Sequence, residues 1–209
     1  MTTGDTISFD VINPQPLLIV VSGPSGVGKD SVLSMLKKRS LPLHFVVTTT
    51  DRLPRANEVE GVDYHFISHE RFQEMIADGE FIEYALVYTD YKGVPRSQIR
   101  EAFATGLDVI LRVDVQGAAR LRHLFPEAVL IFLVPENCEE WYQRLINRHS
   151  ETPEQLKNRI ETAKSELKRL PEFDYVVVNA HNCLEITADR IQSIIDVEHM
   201  KVHPRRIQI

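Results

Sequence analysis

Residues 17–30 read Leu-Leu-Ile-Val-Val-Ser-Gly-Pro-Ser-Gly-Val-Gly-Lys-Asp, an apolar run followed by a glycine-rich segment. Its first five residues form a continuous apolar run typical of a buried strand, and the rest contains the pattern G-x-x-x-x-G-K of a phosphate-binding loop. Consecutive backbone N–H groups in such a loop point at bound phosphates, and the following helix adds the positive end of its dipole. The sequence therefore predicts a polyphosphate site directly after the first strand.

The residues after this loop favour an amphipathic helix. Val32, Leu33 and Leu36 recur at helical spacing, and residues 37–39 are basic, which suits the last turn of a helix. The alternative is a Gly-rich turn that binds nothing, but the strand, both glycines, Lys29 and the helix all fall where phosphate binding requires them. The residues predicted to contact the polyphosphate are Gly23, Pro24, Ser25, Gly26, Val27, Gly28, Lys29, Asp30 and Ser31.

Length, composition and charge indicate an ordinary soluble enzyme domain. The chain has 209 residues, of which 43% are hydrophobic and 26% charged, enough for one domain with a full core. Its formal net charge of −6 argues against a broad basic face for nucleic acid. No apolar run approaches the about 20 residues that span a bilayer. We therefore predict neither a nucleic-acid nor a membrane partner.

Residues 1–16 and the two cysteines bear on the compartment. Residues 1–16 contain Asp5 and Asp10 and no basic residue, unlike a secretory signal or an Arg-rich transit peptide. Cys138 and Cys183 have no His or Cys partner at metal-ligand spacing, so we predict free thiols. These features together predict a cytoplasmic protein.

Strands and helices alternate along the chain. Nearly continuous apolar runs predict parallel strands, covered on both faces, at residues 109–113, 129–134 and 175–178. We also predict strands at 44–50, 64–67 and 81–87, a turn at 90–93, and helices at 69–78, 95–105, 139–148, from 152 and after 184. The alternation predicts an α/β fold with a mostly parallel sheet, helices on both faces and a site at the carboxyl ends of the strands. The short strands between residues 48 and 93 break the rhythm and indicate an inserted lobe for a second substrate.

Two arginines suggest a second anion site. Arg52 and Arg55 lie three residues apart, in a segment that also supplies the hydroxyl groups of Thr48 and Tyr64. Guanidinium groups bind phosphate oxygens in bidentate fashion, which suits a phosphate monoester. Taken alone, however, these residues fit a solvated charged loop better than a binding site.

Three segments of the chain resemble one enzyme family. Residues 51–66 read DRLPRANEVEGVDYHF, which resembles the guanylate kinase pattern T-T-R-x-P-R-x-G-E-x-x-G-x-D-Y-x-F. Residues 81–85, FIEYA, and 113–118, VDVQGA, resemble that family's F-I-E-W/Y-A and I-D-x-Q-G-A. The resemblance runs in order from Leu17 to about Ile195, nearly the whole chain, and it favours the phosphate-site interpretation of Arg52 and Arg55.

The resemblance implies a fold and a reaction. The fold is that of a P-loop nucleoside-monophosphate kinase, and the reaction transfers a phosphoryl group from ATP, with Mg²⁺, to GMP and also dGMP. The implied regions are a core at about 17–47, 94–138 and 171–198, a GMP-binding lobe at about 48–93, a lid at about 139–170, and tails at 1–16 and 199–209.

The resemblance also assigns residues to the GMP site. Those implied for the phosphate are Thr48, Arg52, Arg55, Tyr64 and Lys92, and those implied for the guanine are Glu83 and Asp114. Guanine presents N1–H and N2–H₂ donors on one edge, and a carboxylate can accept from both. AMP lacks that donor pair and would leave a buried acid unpaired. Without the resemblance, Glu83 would be interpreted as a surface acid.

Phosphoryl transfer needs positioning and charge neutralisation more than covalent chemistry. The catalytic residues implied are Lys29, Arg144, Arg148 and Arg159, the three arginines belonging to a lid that closes on the triphosphate. The alternative for each arginine is a helix-surface residue paired with Glu140 or Glu161. Asn179 would lie near the adenine, and the alternative there is a turn residue at the end of a strand. No catalytic base is expected, because the acceptor is already a phosphate oxyanion.

Several residues depart from the family pattern. Asp30 stands where a Ser or Thr usually ligates Mg²⁺, Asp51 replaces a Thr, and Arg112 replaces an acid. Lys92 stands where a phosphate-binding tyrosine is usual, and Val94 where a hydroxyl is. The G-K-D loop and D-Y-K-G turn resemble the plastid-type branch of the family. Our hypothesis is that Asp30 supports Mg²⁺ directly or through water, and that Lys92 replaces the tyrosine as a point charge.

Two other functions remain open at this point. One is a catalytically inactive guanylate-kinase-like module that binds a phosphopeptide or a nucleotide, although such modules usually lose the loop lysine and glycines that this chain keeps. The other is a kinase for a different phosphorylated acceptor, such as a ribose phosphate, in which Glu83 would have no base to recognise. Both a monomer and a homodimer are compatible with the sequence.

Overall fold

The computed structural model describes residues 15–56, 58–87, 89–146 and 153–208. Its strands are β1 (Leu18–Ser22), β2 (Leu43–Phe45), β3 (Thr49–Thr50), β4 (His65–Phe66), β5 (Phe81–Val87), β6 (Asp90–Pro95), β7 (Asp108–Arg112), β8 (Val129–Val134) and β9 (Tyr175–Val178). Its helices are α1 (Lys29–Lys38), α2 (His69–Ala77), α3 (Arg96–Ala104), α4 (Val115–Leu124), α5 (Cys138–Ile146), α6 (Pro153–Leu167) and α7 (Leu184–His199). Within the described ranges, no helix combines the length and the apolar character needed to cross a bilayer. Cys138 and Cys183 are free thiols, as predicted.

The larger sheet is parallel throughout and has the strand order β2-β7-β1-β8-β9. Strand β1 lies at its centre, where Val20 is opposite Leu111 on one side and Leu130 on the other. The carboxyl ends of all these strands therefore lie along one edge of the sheet. The phosphate-binding loop follows β1 at that edge, which is where open α/β sheets bind their ligands.

Alternate residues of β1 pack into two helical layers. Ile19 and Val21 pack with residues of α1 and α7, whereas Leu18 and Val20 pack with residues of α3 and α4. All four side chains are fully buried, as expected for a central parallel strand covered on both faces. The predicted fold class, an α/β protein with a mostly parallel sheet between helices, is confirmed.

A second sheet has the strand order β4-β3-β6-β5 and is antiparallel except between β3 and β4. The single strand predicted at residues 44–50 is wrong, because its first part joins the larger sheet as β2 and its last part joins this one as β3. The backbone N–H of Val46 still donates to the carbonyl of Ile110 at 3.0 Å, whereas Thr49 pairs with Gly93. β-propensity marks both parts equally and does not tell which sheet each part joins.

The turn predicted at residues 90–93 is also wrong. These residues belong to β6, in which Asp90 pairs with Val87 and Lys92 with Ala85. Gly93 favours a turn in isolation, but here it allows close packing, since a Cβ atom there would lie 2.7 Å from the ring of Phe81.

Helix α4 was not predicted from the sequence, and it begins at a residue of the predicted site. The Asp114 carboxylate accepts a hydrogen bond from the Gly117 backbone N–H at 2.7 Å and so caps the helix. A Cβ atom at Gly117 would lie 2.7 Å from Glu83 Oε1. The glycine therefore lets the helix approach β5 closely.

Two side chains of the predicted tail at residues 199–209 contact the body of the protein, although most of residues 201–208 are exposed. Glu198 is fully buried and pairs with Arg205, whose Nε lies 2.8 Å from Glu198 Oε2. Arg205 also donates to the carbonyl of Ala128 at 3.2 Å, and Ile207 packs against the layer that contains α3 and α4. The buried carboxylate thus fixes the segment that follows α7.

Candidate active site

A single pocket joins the end of β1 to the second sheet. It is lined by residues of the loop and α1, of the second sheet and its connections, of β7 and the residues after it, and of α6: Ser25, Gly26, Gly28, Lys29, Asp30, Ser31, Thr48, Arg52, Arg55, Tyr64, Glu83, Val87, Asp90, Lys92, Gly93, Val94, Arg112, Val113, Asp114, Arg159 and Glu166. The structure thus brings most of the predicted loop residues together with every residue predicted for the acceptor.

The loop after β1 needs glycine at its most strained positions. Gly28 has φ 95° and immediately precedes α1, and a Cβ atom there would lie 2.6 Å from Asn179 Nδ2. Only glycine adopts this backbone without strain. The Lys29 ammonium donates to the carbonyl oxygens of Gly23 and Pro24, and burial lowers the pKa of Lys29 to about 8. The Lys29 side chain is therefore enclosed by the phosphate-binding loop.

Side chains of helix α5 bond to the backbone of this loop on the side away from the pocket. The Trp141 indole Nε1–H donates to the carbonyl of Ser25 at 2.8 Å. Arg144 donates to the carbonyls of Val27 at 3.1 Å and Asn179 at 2.8 Å, and it pairs with Glu140. The predicted lid arginine Arg144 thus lies on the rear side of the loop, where it fixes the backbone. The pairing with Glu140 is the one named as the alternative for this residue.

The other two predicted lid arginines have different outcomes. Arg159 of α6 lines the pocket, and its Nη1 donates to the Ser25 hydroxyl at 3.2 Å. Arg148 lies outside the described residues, so its role stays a prediction.

The side-chain amide of Asn179 bonds to the loop and to helix α7. Its side-chain Nδ2 donates to the carbonyl of Val27 at 2.7 Å, and its Oδ1 accepts from the Thr187 hydroxyl at 3.0 Å. The residue is only 4% exposed. Since both ends of the amide are bonded to the protein, the side chain braces the loop, and its predicted place near the adenine stays a prediction.

Three cations surround the ring of Tyr64 in the acceptor part of the pocket. The guanidinium carbons of Arg112 and Arg52 lie 4.4 Å and 5.0 Å from the ring centroid, and the Lys92 ammonium lies 5.8 Å from it. Tyr64 itself is buried. An electron-rich ring attracts each cation, while the cations repel one another. An anion placed among them would therefore be strongly stabilised.

Arg52 is oriented by an acid that the sequence analysis did not single out. Its two terminal nitrogens lie 2.6 Å and 2.7 Å from the carboxylate oxygens of Glu58, a bidentate pair. Glu58 also accepts from the Arg55 backbone N–H at 2.9 Å. The Arg55 side chain remains more than half exposed. The signal available in the sequence was a carboxylate three residues from Arg55 and six from Arg52, the two arginines predicted to bind phosphate.

Glu83 lies at the far wall of the pocket. It is 5% exposed, and its Oε2 lies 3.6 Å from Arg120 Nη1. Burial, reinforced by the nearby charge of Asp114, raises the pKa of Glu83 to about 8. The two acids predicted to bind guanine thus lie in one place, and Asp114 uses part of its carboxylate to cap α4.

Sequence comparison agrees with this geometry. The guanylate kinase family matches residues 15–198 of the chain. The chain belongs to the guanylate kinase family. It is 51% identical to "Guanylate kinase 2, chloroplastic/mitochondrial" from Oryza sativa subsp. japonica, over 99% of this chain and 73% of that protein. It is 43% identical to a guanylate kinase from Halalkalibacterium halodurans, over 88% of this chain and 90% of that protein.

A solved structure gives the same result. The crystal structure of guanylate kinase from Anaplasma phagocytophilum matches this chain with a TM-score of 0.74 and 33% sequence identity, over 90% of this chain and 89% of that one. The predicted family is confirmed.

This guanylate kinase also has a pocket residue that sequence reasoning missed. Glu166 of α6 lines the pocket beside the loop, and burial raises the pKa of Glu166 to about 7 although Lys29 and the Ser25 backbone act in the opposite direction. An acid near the end of a helix rich in charged residues carries no sequence signal of its own. Its contact with the loop becomes visible only when α6 is placed over the pocket.

Proposed function

We propose that this guanylate kinase transfers the γ-phosphoryl group of ATP to GMP, and also to dGMP, giving ADP and the nucleoside diphosphate. The observation that carries the proposal is one pocket that joins the phosphate loop to the cations around Tyr64 and to the buried acid Glu83. A triphosphate, a monophosphate and a guanine each have a chemically complementary region within it.

The donor end would bind the ATP phosphates through the loop N–H groups and the dipole of α1. We propose that Lys29 transfers its hydrogen bonds from the carbonyls of Gly23 and Pro24 to the β- and γ-phosphates. Arg159, which bonds Ser25 at the same loop, would neutralise charge on the transferring group. Arg144 would act indirectly, by keeping the Val27 carbonyl in place.

The acceptor end would bind the GMP phosphate. Arg52, Arg55 and Lys92 supply positive charge, and the Thr48 and Tyr64 hydroxyl groups supply further contacts. The attacking atom is a phosphate oxygen that is already anionic, so no residue has to remove a proton from it. Catalysis therefore rests on holding the two phosphates in line and neutralising their repulsion.

Guanine recognition would come from Glu83, assisted by Asp114. An ionised carboxylate can accept from the N1–H and N2–H₂ groups of guanine at once. Because Glu83 is buried, an AMP molecule would leave its carboxylate without those partners. This predicts discrimination against adenine by an unpaired acid rather than by shape.

We propose Mg²⁺ as the accompanying cation, and the residues present fit it. Mg²⁺ takes one or two protein carboxylates together with substrate phosphates and keeps several waters. Asp30 lines the pocket at the start of α1, and a cage of three or more His, Cys, Asp or Glu side chains is absent from the residues described. The Asp30 carboxylate would hold the ion through water, and the ion would neutralise phosphate charge.

The test is a coupled ADP-release assay with ATP and Mg²⁺ against GMP, dGMP, AMP, CMP and UMP. We expect turnover with GMP and dGMP, and at least about 10³-fold lower kcat/KM for AMP. If GMP binds tightly without ADP release, the catalytic proposal fails, and the inactive binding module named above takes its place.

A further inference from the structure

Two departures from the family pattern meet each other in the structure. Asp30 stands in place of the usual hydroxyl residue of the loop, and Arg112 stands in place of an acid at the end of β7. Arg112 Nε lies 2.7 Å from Asp30 Oδ1. The N–H does not point directly at this oxygen, so the contact is an ion pair rather than an aligned hydrogen bond. The two residues are 82 positions apart in sequence, which is why their complementarity is visible only in the fold.

The same guanidinium group also contacts the acceptor part of the pocket. Arg112 Nη2 donates to the carbonyl of Asp63 at 2.7 Å, and its guanidinium carbon lies 4.4 Å from the centroid of the Tyr64 ring. The Arg112 side chain is 12% exposed. It therefore has fixed partners on both sides, in α1 and in the segment that carries the predicted phosphate ligand Tyr64.

Arg112 keeps its positive charge in the pocket. Burial disfavours the charged form, but Asp30, Tyr64 and Asp63 together raise the pKa of Arg112 above its ordinary value. Asp30 in turn has a cation beside it, which reduces the repulsion expected between its carboxylate and the ATP phosphates. The family has an acid at the position of Arg112 and a hydroxyl residue at the position of Asp30. The positive charge of Arg112 thus balances the negative charge of Asp30.

We propose that Arg112 is a positioning residue that couples the two substrate sites, holding the first turn of α1 through Asp30 and the acceptor segment through Asp63 and Tyr64. The inference deepens the proposed GMP kinase activity and rests on it for the identity of the two substrates. In this proposal Asp30 is the counterion of Arg112, and the Asp30 carboxylate acts on Mg²⁺ only through water.

A swap experiment tests the pair. Asp30→Ser, Arg112→Asp and the double variant are purified as full-length chains, and Kd for ATP–Mg²⁺ and for GMP is measured by titration calorimetry together with kcat. Asp30→Ser leaves the buried Arg112 without its counterion, and Arg112→Asp places two carboxylates side by side, so we expect Kd for both substrates to rise about 10- to 100-fold. The double variant has a hydroxyl at position 30 and one acid at position 112, so the repulsion between two carboxylates is gone and Kd for ATP–Mg²⁺ should return within about threefold of the original value, a strongly non-additive result. Kd for GMP should stay raised, because the contacts of Arg112 with the Asp63 carbonyl and the Tyr64 ring are still missing.

A matched control comes from the other end of α1. Arg39 pairs with Glu185 at 2.6 Å, with side-chain exposures of 18% and 67% that resemble the 12% and 54% of Arg112 and Asp30. Arg39→Asp should change neither Kd, because that pair lies away from the pocket. Arg112→Lys adds a second check: it keeps the charge next to Asp30 but loses the planar fork, so GMP binding should weaken more than ATP binding.

The outcomes separate clearly. If Arg112→Asp changes the Kd of only one substrate, if the double variant does not recover the affinity for ATP–Mg²⁺, or if it recovers the affinity for GMP as well, the coupling role is overturned. If the double variant recovers the affinity for ATP–Mg²⁺ and not that for GMP, the role is supported, and the recovery also shows that the fold is intact. Failure of the unmodified chain to release ADP with GMP would overturn the proposed activity instead, while the calorimetric result would still decide the role of Arg112.

Discussion

The donor end and the acceptor end of the pocket are stabilised by different kinds of contact. Around the phosphate loop, Trp141, Arg144 and Asn179 all donate to main-chain carbonyls, so the loop backbone is fixed before any nucleotide arrives. Around Tyr64, the contacts join charged side chains, as in the pairs Arg52–Glu58 and Arg112–Asp30. Hydrogen bonds to main-chain carbonyls keep the loop backbone in one conformation. Charged side chains in ion pairs, in contrast, can exchange their partner for a substrate phosphate.

The two kinds of contact predict different kinetic roles for the two ends of the pocket. The donor end is preorganised for the triphosphate that every turnover requires. The acceptor end keeps its cations ionised by pairing them with Glu58 and Asp30, and a monophosphate would compete for those cations. Changes at the donor end should therefore reduce kcat, and changes confined to the acceptor end, such as those at Arg52, should mainly raise KM for GMP, whereas Arg112 and Asp30 join the two ends.

The largest effect is expected at Lys29. Lys29→Ala removes the enclosed ammonium of the loop, and we expect about a 10³-fold loss of kcat, because charge neutralisation in the transition state is lost. Steady-state kinetics with ATP and GMP measure this. Lys38→Ala, an exposed lysine of the same helix, is the control and should be close to the original enzyme. A loss confined to KM for ATP would contradict the comparison.

At the acceptor end, Arg52→Ala should raise KM for GMP about 100-fold and leave KM for ATP within about threefold. The change removes a predicted phosphate ligand and leaves Glu58, which is 15% exposed, without its bidentate partner. Glu58→Gln keeps Arg52 but loosens it, so a smaller increase of about tenfold is expected. Equal effects on both substrates would show that the two ends are not separable.

The pH dependence of GMP binding should report Glu83. Burial raises its pKa to about 8, and guanine binding requires the ionised carboxylate, so GMP affinity should increase by up to about tenfold per pH unit from pH 6 to 8 and then level off. The GMP phosphate also titrates in this range, because the second pKa of a phosphate monoester is about 6. Glu83→Gln retains that phosphate contribution and should lose the step near pH 8. If the Gln variant keeps the step, Glu83 is not the guanine acceptor.

The smallest effect on activity is expected outside the pocket, at Arg205. Arg205→Ala leaves the fully buried Glu198 with only Lys201 and Tyr175, and we expect a loss of about 3 kcal/mol in the free energy of unfolding with kcat unchanged. Chemical denaturation measures the loss. Despite burial, its partners lower the Glu198 pKa to about 2, so the stabilisation is present above about pH 4.5 and is lost as the pH falls toward 2. The variant should therefore have a weaker acid dependence of stability.

The sequence predicted the elements that have a strong apolar period. Strands β8 and β9 lie where they were predicted, because a continuous apolar run of four to six residues is a local signal. Strand β5 also lies where it was predicted, although Glu83 interrupts its apolar residues. The strand at residues 44–50 was predicted as one element but divides between two sheets, since the choice of sheet depends on partners such as Ile110 and Gly93 that are far away in sequence.

The candidate site shows the same limit at the level of single side chains. The residues that carry a charge or a hydroxyl into the pocket, such as Arg52 and Glu83, were predicted because the family pattern preserves their order. Arg144 and Asn179 were assigned to ATP, but their donors bond to the loop backbone. A sequence does not reveal which side of a loop a polar side chain approaches, since that depends on how α5 and β9 pack behind it.

The central position of β1 has a consequence for synthesis of the chain. Leu17, at its start, is bonded to Asp108, 91 residues later in the sequence, and both neighbours of β1 in the sheet, β7 and β8, are made after that interval. At about 5–20 residues per second, the ribosome therefore releases this apolar strand about 5–18 s before either neighbour exists. During that time the nascent chain exposes the apolar residues 17–21, the kind of unpaired strand that makes an unfinished chain prone to aggregation.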